Sequence, residues 1–267
     1  GLKSSQSKSN PQSIIGQCNC WTACMELLCL GVGAGKSMVY DGEPSSSFLL
    51  RSTKSFESDV VDGEGLLLID CGFGVVRSCL RHVAKLPPLV YVSHNHSDHA
   101  GELPVILAVE GSRPGGTKLT VVAEESVAAV VRERRLYETT PMGAFDAAWI
   151  LLKEGQITSI GHGLAMRPVG PCQHSERCFG FVLYRDCRSQ EQCIDYVSSS
   201  RCAPCSPHDD MQGYQRPMFA FTADSGLCPK LLQQLSHAPV LLADGRLTGT
   251  YEHASFKELE AWREAEA

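Results

Sequence analysis

A chain of 267 residues, 43% hydrophobic and 20% charged, is long enough to bury the core of one sizeable α/β domain. Its formal net charge of −6 leaves no basic footprint for nucleic acid, so RNA is admitted as a partner but not favoured. No run reaches eighteen apolar residues, and the longest candidate, 14–32, is broken by Gln17, Asn19 and Glu26, which argues against a transmembrane segment.

The chain opens on "GLKSSQSKSNPQS", a Ser/Lys/Gln-rich stretch read as a disordered tail over 1–13, ahead of a single domain over 14–267. Gly1 followed by Ser5 matches the pattern of an N-myristoylation site, with a chance match or a cloning remnant as the plain alternative. No secretory leader is visible in this stretch, so a cytoplasmic location is expected, with most of the 13 cysteines as reduced thiols. The first strand-like run, "MELLCLGVG", leads into "LGVGAGKS", which has the look of a phosphate loop. Counting decides against it: the position five before Gly35 is Leu30, and Lys36 stands where a dinucleotide motif needs its third glycine. The stretch reads as a glycine turn.

Strand signals continue with "SSFLLRS", "GLLLID", "LVYVSH", "KLTVVA", "CFGFVLYR", "MFAFTAD" and "APVLLADG", each bounded by turn residues. Helical patterns fall at Gly74–Ala84, Glu102–Val109, Glu124–Arg135, Pro229–Ser236 and Ser255–Ala267. Early strands follow one another and later ones alternate with helices, which predicts mixed sheets covered by helices. A polar, Cys-rich segment at about 185–217 separates two convincing strands and reads as a long inserted loop. Within it, Cys187, Cys193, Cys202 and Cys205 can make a structural zinc site, disulfides, or remain free thiols; their spacing is irregular for a zinc ribbon.

The chemistry concentrates in "LVYVSHNHSDHAGELP", residues 89–104. His94, His96, Asp98 and His99 arrive within six residues of one another directly after an apolar strand. Imidazole and carboxylate are the ligands that zinc and its neighbours prefer. Alternation along an extended segment turns His94 and His96 to one side, and Gly101 then permits a turn into a helix.

The H-x-H-x-D-H spacing resembles that of the metallo-β-lactamase superfamily. Three further positions match its pattern: His174 before the strand "CFGFVLYR", Asp224 in "MFAFTADSG", and His253 in "TGTYEHASFKELEAW". The resemblance implies a four-layer αββα sandwich, with two mixed β-sheets flanked by helices. It implies a dinuclear metal centre in which His94, His96 and His174 hold one ion, Asp98, His99 and His253 hold the other, and Asp224 bridges. Zinc is the expected metal, with manganese or iron as alternatives. His82, His162, His208 and His237 have no matching position.

Within the superfamily the chain resembles ribonuclease Z and its phosphodiesterase relatives, through "LCLGVGAG", "PSSSFLLRS", "LLLIDCGFGVVRSCL" and "HNHSDHAGELP". It departs from them too. The basic signature and the long tRNA-grasping arm of ribonuclease Z are missing, and "ADGR" at 243–246 replaces a His-Glu-Ala-Thr stretch. Asp244 is thereby the carboxylate that can orient His253. The resemblance implies a metal-dependent hydrolase acting on a small-molecule or nucleotide diester, with Asp98, His253 and Asp244 as catalytic residues and a homodimer as one arrangement. A thioester or lactone hydrolase on the same metals is the alternative. From another class, the chain can be a metal- or partner-binding module working through the cysteine loop.

Overall fold

The computed structural model describes residues 25–35, 37–52, 65–137, 147–186 and 215–266. The tail, Gly1, Cys18, Cys20, Cys24, Lys36, His208 and the four cysteines of the inserted loop all lie outside the described residues.

Strands β1 (Met25–Gly31), β2 (Ser47–Ser52) and β3 (Gly65–Ile69) pair antiparallel in sequence order. Then β4 (Leu89–Tyr91), β5 (Thr120–Glu124) and β6 (Ala148–Leu152) add on in parallel, completing a six-stranded sheet in the order β1-β2-β3-β4-β5-β6. Parallel neighbours need crossovers. These are supplied by α1 (Val75–Cys79), by α2 (Ser97–Ala100) with α3 (Leu103–Ser112), and by α4 (Glu125–Arg134). The second sheet runs β11-β10-β9-β8-β7, built from β7 (Thr158–Gly161), β8 (Leu164–Val169), β9 (Gly180–Asp186), β10 (Gln215–Phe221) and the short parallel β11 (Leu241–Leu242). Helix α5 (Pro229–Leu235) follows β10, and α6 (Phe256–Glu266) ends the described chain. Two mixed sheets with flanking helices match the expected sandwich.

Alternation along the strands shows what lies between the layers. Met166, Phe181, Leu183, Phe219 and Phe221 share one face of the second sheet through the register Met166↔Leu183 and Phe219↔Leu183. That face meets the first sheet, where the Tyr91 and Phe181 rings pack edge-on at 4.6 Å and Phe48 meets Phe221 at 5.8 Å. The opposite face carries Ala165, Val182 and Ala220 in one cluster with Leu231 and Leu235 of α5. On the far side of the first sheet, Leu68, Val90, Val92 and Val121 pack under residues of α1, α3 and α4. The layers therefore run helix, sheet, sheet, helix.

Three strands escaped the sequence reading: β6, β7 and β8. β8 contains Pro168, which argues against a central strand because proline lacks an N–H. The structure tolerates it because β7 stops opposite Met166, leaving Pro168 with β9 as its one neighbour. Helix α1 is shorter than the predicted Gly74–Ala84, and Glu124 ends β5 and caps α4 by accepting from the Ser126 and Val127 amides. The glycine stretch is a packed turn: the Gly33 N–H donates to the Pro44 carbonyl at 2.8 Å, and a single wide helical turn follows at Ser37–Asp41. No described helix is long and apolar enough to cross a membrane.

A buried bond ties the two sheets together close to the strand ends. The Tyr91 hydroxyl donates to the Phe179 carbonyl at 2.7 Å, with both residues out of solvent. Tyr91→Phe keeps the ring and strands that carbonyl, at a cost of about 1–2 kcal/mol. For a chain of this size the melting temperature is expected to fall by about 2–6 °C. A thermal scan showing no change would mean the bond carries no stability.

Candidate metal centre

The site gathers at the carboxyl ends of β3, β4, β10 and β11, where open α/β sheets place their ligands. At the end of β3, Asp70 adopts a left-handed φ of 59°, an uncommon conformation for a residue with a side chain and one that concentrates at functional sites. The turn puts its carboxylate under the histidine loop. Oδ1 accepts from the Ser93 amide at 2.8 Å; Oδ2 accepts from the Ser93 hydroxyl at 2.8 Å and lies 2.8 Å from His99 Nδ1.

Backbone bonds lock the two loops together. The Cys71 amide donates to the His99 carbonyl at 2.7 Å, and the Glu102 amide donates to the Cys71 carbonyl at 2.9 Å. Gly72 passes so close that a Cβ there would fall 1.8 Å from the Asp98 carbonyl oxygen. Glu102 completes the unit, its carboxylate accepting from the Gly74 and Val76 amides at the start of α1, each at 2.8 Å. "DCGFG" and "HNHSDHAGE" are therefore one folded piece.

That piece fixes which nitrogens face inward. A carboxylate can only accept, so the Ser93 hydroxyl gives its proton to Asp70 and its oxygen is free to accept from His94 Nδ1, 3.0 Å away. His94 then turns its Nε2 lone pair into the site. That atom is fully buried and has no hydrogen-bond partner. Asp70 acts on His99 in the same way, accepting from Nδ1 and leaving Nε2 to the site. One buried carboxylate thus sets the tautomer of two histidines.

The other expected residues converge on those nitrogens. The His94 and His96 rings lie 4.7 Å apart, His94 and His174 4.7 Å, and His96 and His174 4.8 Å, so three imidazoles from two loops face one point. Asp224 follows Ala223, which also has a left-handed φ, of 55°. The Asp224 carboxylate reaches His99 Nε2 at 3.3 Å and His253 Nδ1 at 3.7 Å. Asp98, partly exposed, stands 3.8 Å from His99 Nε2. Asp244 holds His253 Nδ1 at 2.6 Å. The structure gathers six of the seven expected ligands, with Asp244, into clustered ligand groups, and Asp98 stands beside His99 but in none of those groups. The described residues His82, His162 and His237 belong to none of the clustered ligand groups.

Electrostatics favour a cation. Burial, helped by its imidazole neighbours, pushes His94 well below the ordinary histidine range, so it is the neutral, ligating form. Burial works the same way on His99, but the Asp224 and Asp70 carboxylates override it and hold its proton well above that range. Asp224 is held below the usual carboxylate range despite burial, by His99, His94 and His253. Burial and the Asp224 charge push Asp244 up, opposed by its bond to His253. Two carboxylates that bind a proton this firmly on His99 will also draw a divalent ion.

The donor set fits such ions. His94, His96 and His174 offer three nitrogens within 4.8 Å of one another, and His94, His99 and Asp224 form a second group by the same measure. A buried, unpartnered imidazole nitrogen is costly unless something accepts its lone pair. Imidazole with carboxylate suits zinc, iron or manganese.

Sequence reasoning gave Asp70 no role beyond its place in "DCG". Its signal was a lone Asp ending an apolar strand. It gave none to Arg135 either, whose guanidinium donates from Nε to Asn95 Oδ1 at 2.9 Å and from Nη2 to the Asn95 carbonyl, bracing the residue between His94 and His96. Nothing local in the sequence couples those two positions.

A family model, the beta-lactamase superfamily domain, matches residues 66–196, from β3 through the histidine cluster and His174. Over that stretch the chain is similar to the beta-lactamase superfamily domain. No curated protein matches it significantly in sequence. Solved structures of metallo-β-lactamase fold resemble it at low identity. Unliganded yeast PDE1 is 10% identical with a TM-score of 0.57, over 90% of this chain and 81% of its own. A diphosphatase from the PhnP family is 15% identical with a TM-score of 0.55, over 90% and 82%. The short form of human tRNase Z is 12% identical with a TM-score of 0.51, over 89% and 87%. At these identities the likeness establishes the shared fold of the domain.

Proposed function

We propose that this beta-lactamase superfamily domain is a metal-dependent hydrolase that activates water at a dinuclear centre and cleaves a phosphodiester. The observation that carries the reading is the buried, unpartnered Nε2 of His94, aimed where His96, His174 and Asp224 converge. When bound, the ions, zinc by preference, supply Lewis acidity and a water acidic enough to react near neutral pH.

The chain's own residues do the rest. His94, His96 and His174 would hold one ion, and Asp98, His99 and His253 would hold the other, with Asp224 available to both. Asp98, on the more open side, orients the attacking water and takes its proton. His253, fixed through Nδ1 by Asp244, stabilises the leaving oxygen. Asp70 and Ser93 keep the imidazoles in ligating form. The phosphodiester assignment draws support from fold neighbours named as a diphosphatase and a tRNase. The net charge of −6 favours a small or nucleotide diester over a long RNA.

The test is hydrolysis of bis(p-nitrophenyl) phosphate by zinc-reconstituted protein, with metal content by mass spectrometry. About two ions per chain are expected, with turnover lost on chelation and restored by zinc. Two bound ions without turnover would shift the substrate to a lactone or thioester. Ions that disappear only when cysteines are replaced would mean a module working through the cysteine loop.

A further inference from the structure

The loop that carries His253 also carries a carboxylate that none of the roles above uses. Glu252 offers an oxygen that lies with nitrogens of His174 and His253 inside 4.8 Å of one another. Those two histidines stand on opposite sides of the centre as read above, and Glu252 is partly exposed where His94 and His99 are buried. It therefore sits on the solvent side of the cluster, between the two halves.

Its position is built in. Gln173 Nε2 donates to the Tyr251 carbonyl at 3.1 Å, and the Gly226 amide donates to the Gln173 carbonyl at 2.9 Å. A Cβ on Gly226 would fall 2.0 Å from the Tyr251 carbonyl oxygen, so the close approach of these loops requires glycine. Thr250 closes the turn: its Oγ1 accepts from the Glu252 amide at 3.2 Å and the His253 amide at 3.1 Å, and its own amide donates to the His253 carbonyl at 2.7 Å. Gln173 of the His174 loop, Gly226 of the Asp224 loop and one tight turn thus hold Glu252 and His253 together as a pair.

We propose that Glu252 is a displaceable acidic ligand that closes the solvent face of the metal centre and that an incoming phosphate group must replace. This rests on the metal-centre reading above. A fixed negative charge there counters the centre's positive charge in the resting protein and competes with any anion for the same coordination positions. It sets a threshold that weakly bound anions do not pass. The ligand class the site selects is an oxyanion that can bind through two oxygens at once, as a phosphodiester can.

The experiment uses the full chain loaded with cobalt(II), the visible spectrum as readout, and inorganic phosphate as probe. Glu252→Gln is expected to keep two ions per chain and to bind phosphate about tenfold more tightly than the unaltered protein, with a changed cobalt spectrum before any phosphate is added. Glu176→Gln is the control. Glu176 is a rim carboxylate of the neighbouring His174 loop, 3.7 Å from Arg134 and in none of the ligand groups, and its loss should leave phosphate affinity within about twofold. Unchanged phosphate affinity in Glu252→Gln overturns the proposal, as does equal tightening in the control. Loss of an ion in Glu252→Gln also overturns it, since Glu252 would then be a permanent ligand. Failure of the unaltered protein to take up cobalt overturns the metal-centre reading itself and this proposal with it.

Discussion

Asp98→Ala should lower turnover of bis(p-nitrophenyl) phosphate by about 10³-fold, the scale of a lost general base, while the protein melts within about 2 °C of the unaltered chain. The two halves of that expectation have separate structural grounds. The Asp98 side chain is partly exposed and its nearest charged group, His99 Nε2, is 3.8 Å away, so no short bond within the protein is lost with it. What the fold needs from residue 98 is its backbone, because the Asp98 carbonyl is the surface against which Gly72 packs, and alanine leaves it in place. His96→Ala should show the same pattern through loss of an ion at the three-histidine group. Turnover within tenfold of normal in Asp98→Ala would remove the residue from the reaction and sink the mechanism.

Asp70 should behave in the opposite way, since its role is buried and electrostatic. Asp70→Ala leaves the buried Ser93 amide and hydroxyl and the buried His99 imidazole without their shared partner, and is expected to cost about 3–5 kcal/mol. Asp70→Asn separates stability from chemistry. The amide can still accept from the Ser93 N–H, but the nitrogen it turns toward His99 is a donor. His99 Nδ1 must then accept, the proton of the neutral ring moves to Nε2, and the lone pair that an ion would take is gone. The fold should survive with a small loss of melting temperature while zinc binding at the His99 side weakens about 10–100-fold. A competition titration with a zinc-binding dye reads this directly. Two ions held with normal affinity in Asp70→Asn would show that the tautomer of His99 is not set by this carboxylate.

The site was far more legible in the sequence than the sheet that holds half of it. His94, His96, Asp98 and His99 stand together in the chain, and their chemistry is visible there because a cluster of metal-ligand residues has few other uses. Asp224 and His253 are single residues, and only the family pattern picked them out. Asp70 and Arg135 were opaque for a different reason. Each acts on a residue 23 to 40 positions away, and nothing in the local sequence reports a contact of that span. The first sheet was readable up to β5, because β3, β4 and β5 are runs of apolar residues with turns at both ends, and only its edge strand β6 was missed. β7 and β8 were hidden by their own chemistry: "TSIG" reads as a turn, and "LAMRPV" places an arginine and a proline inside a strand. Their pairing comes from the sandwich, through β9.

The hairpin of β9 and β10 has a further consequence. β9 runs away from the catalytic end and β10 returns to it, with Asp186 paired to Gln215 at the turning point. At about 3.3 Å per residue, that junction is some 20 Å from the strand ends that carry Asp224 and the His174 loop. The long cysteine-bearing stretch is thus spliced into the molecule at the antipode of its chemistry, across a rung that would close just as well over a two-residue turn. The ladder therefore fixes where that stretch leaves and re-enters the sheet, one strand length from the nearest ligand.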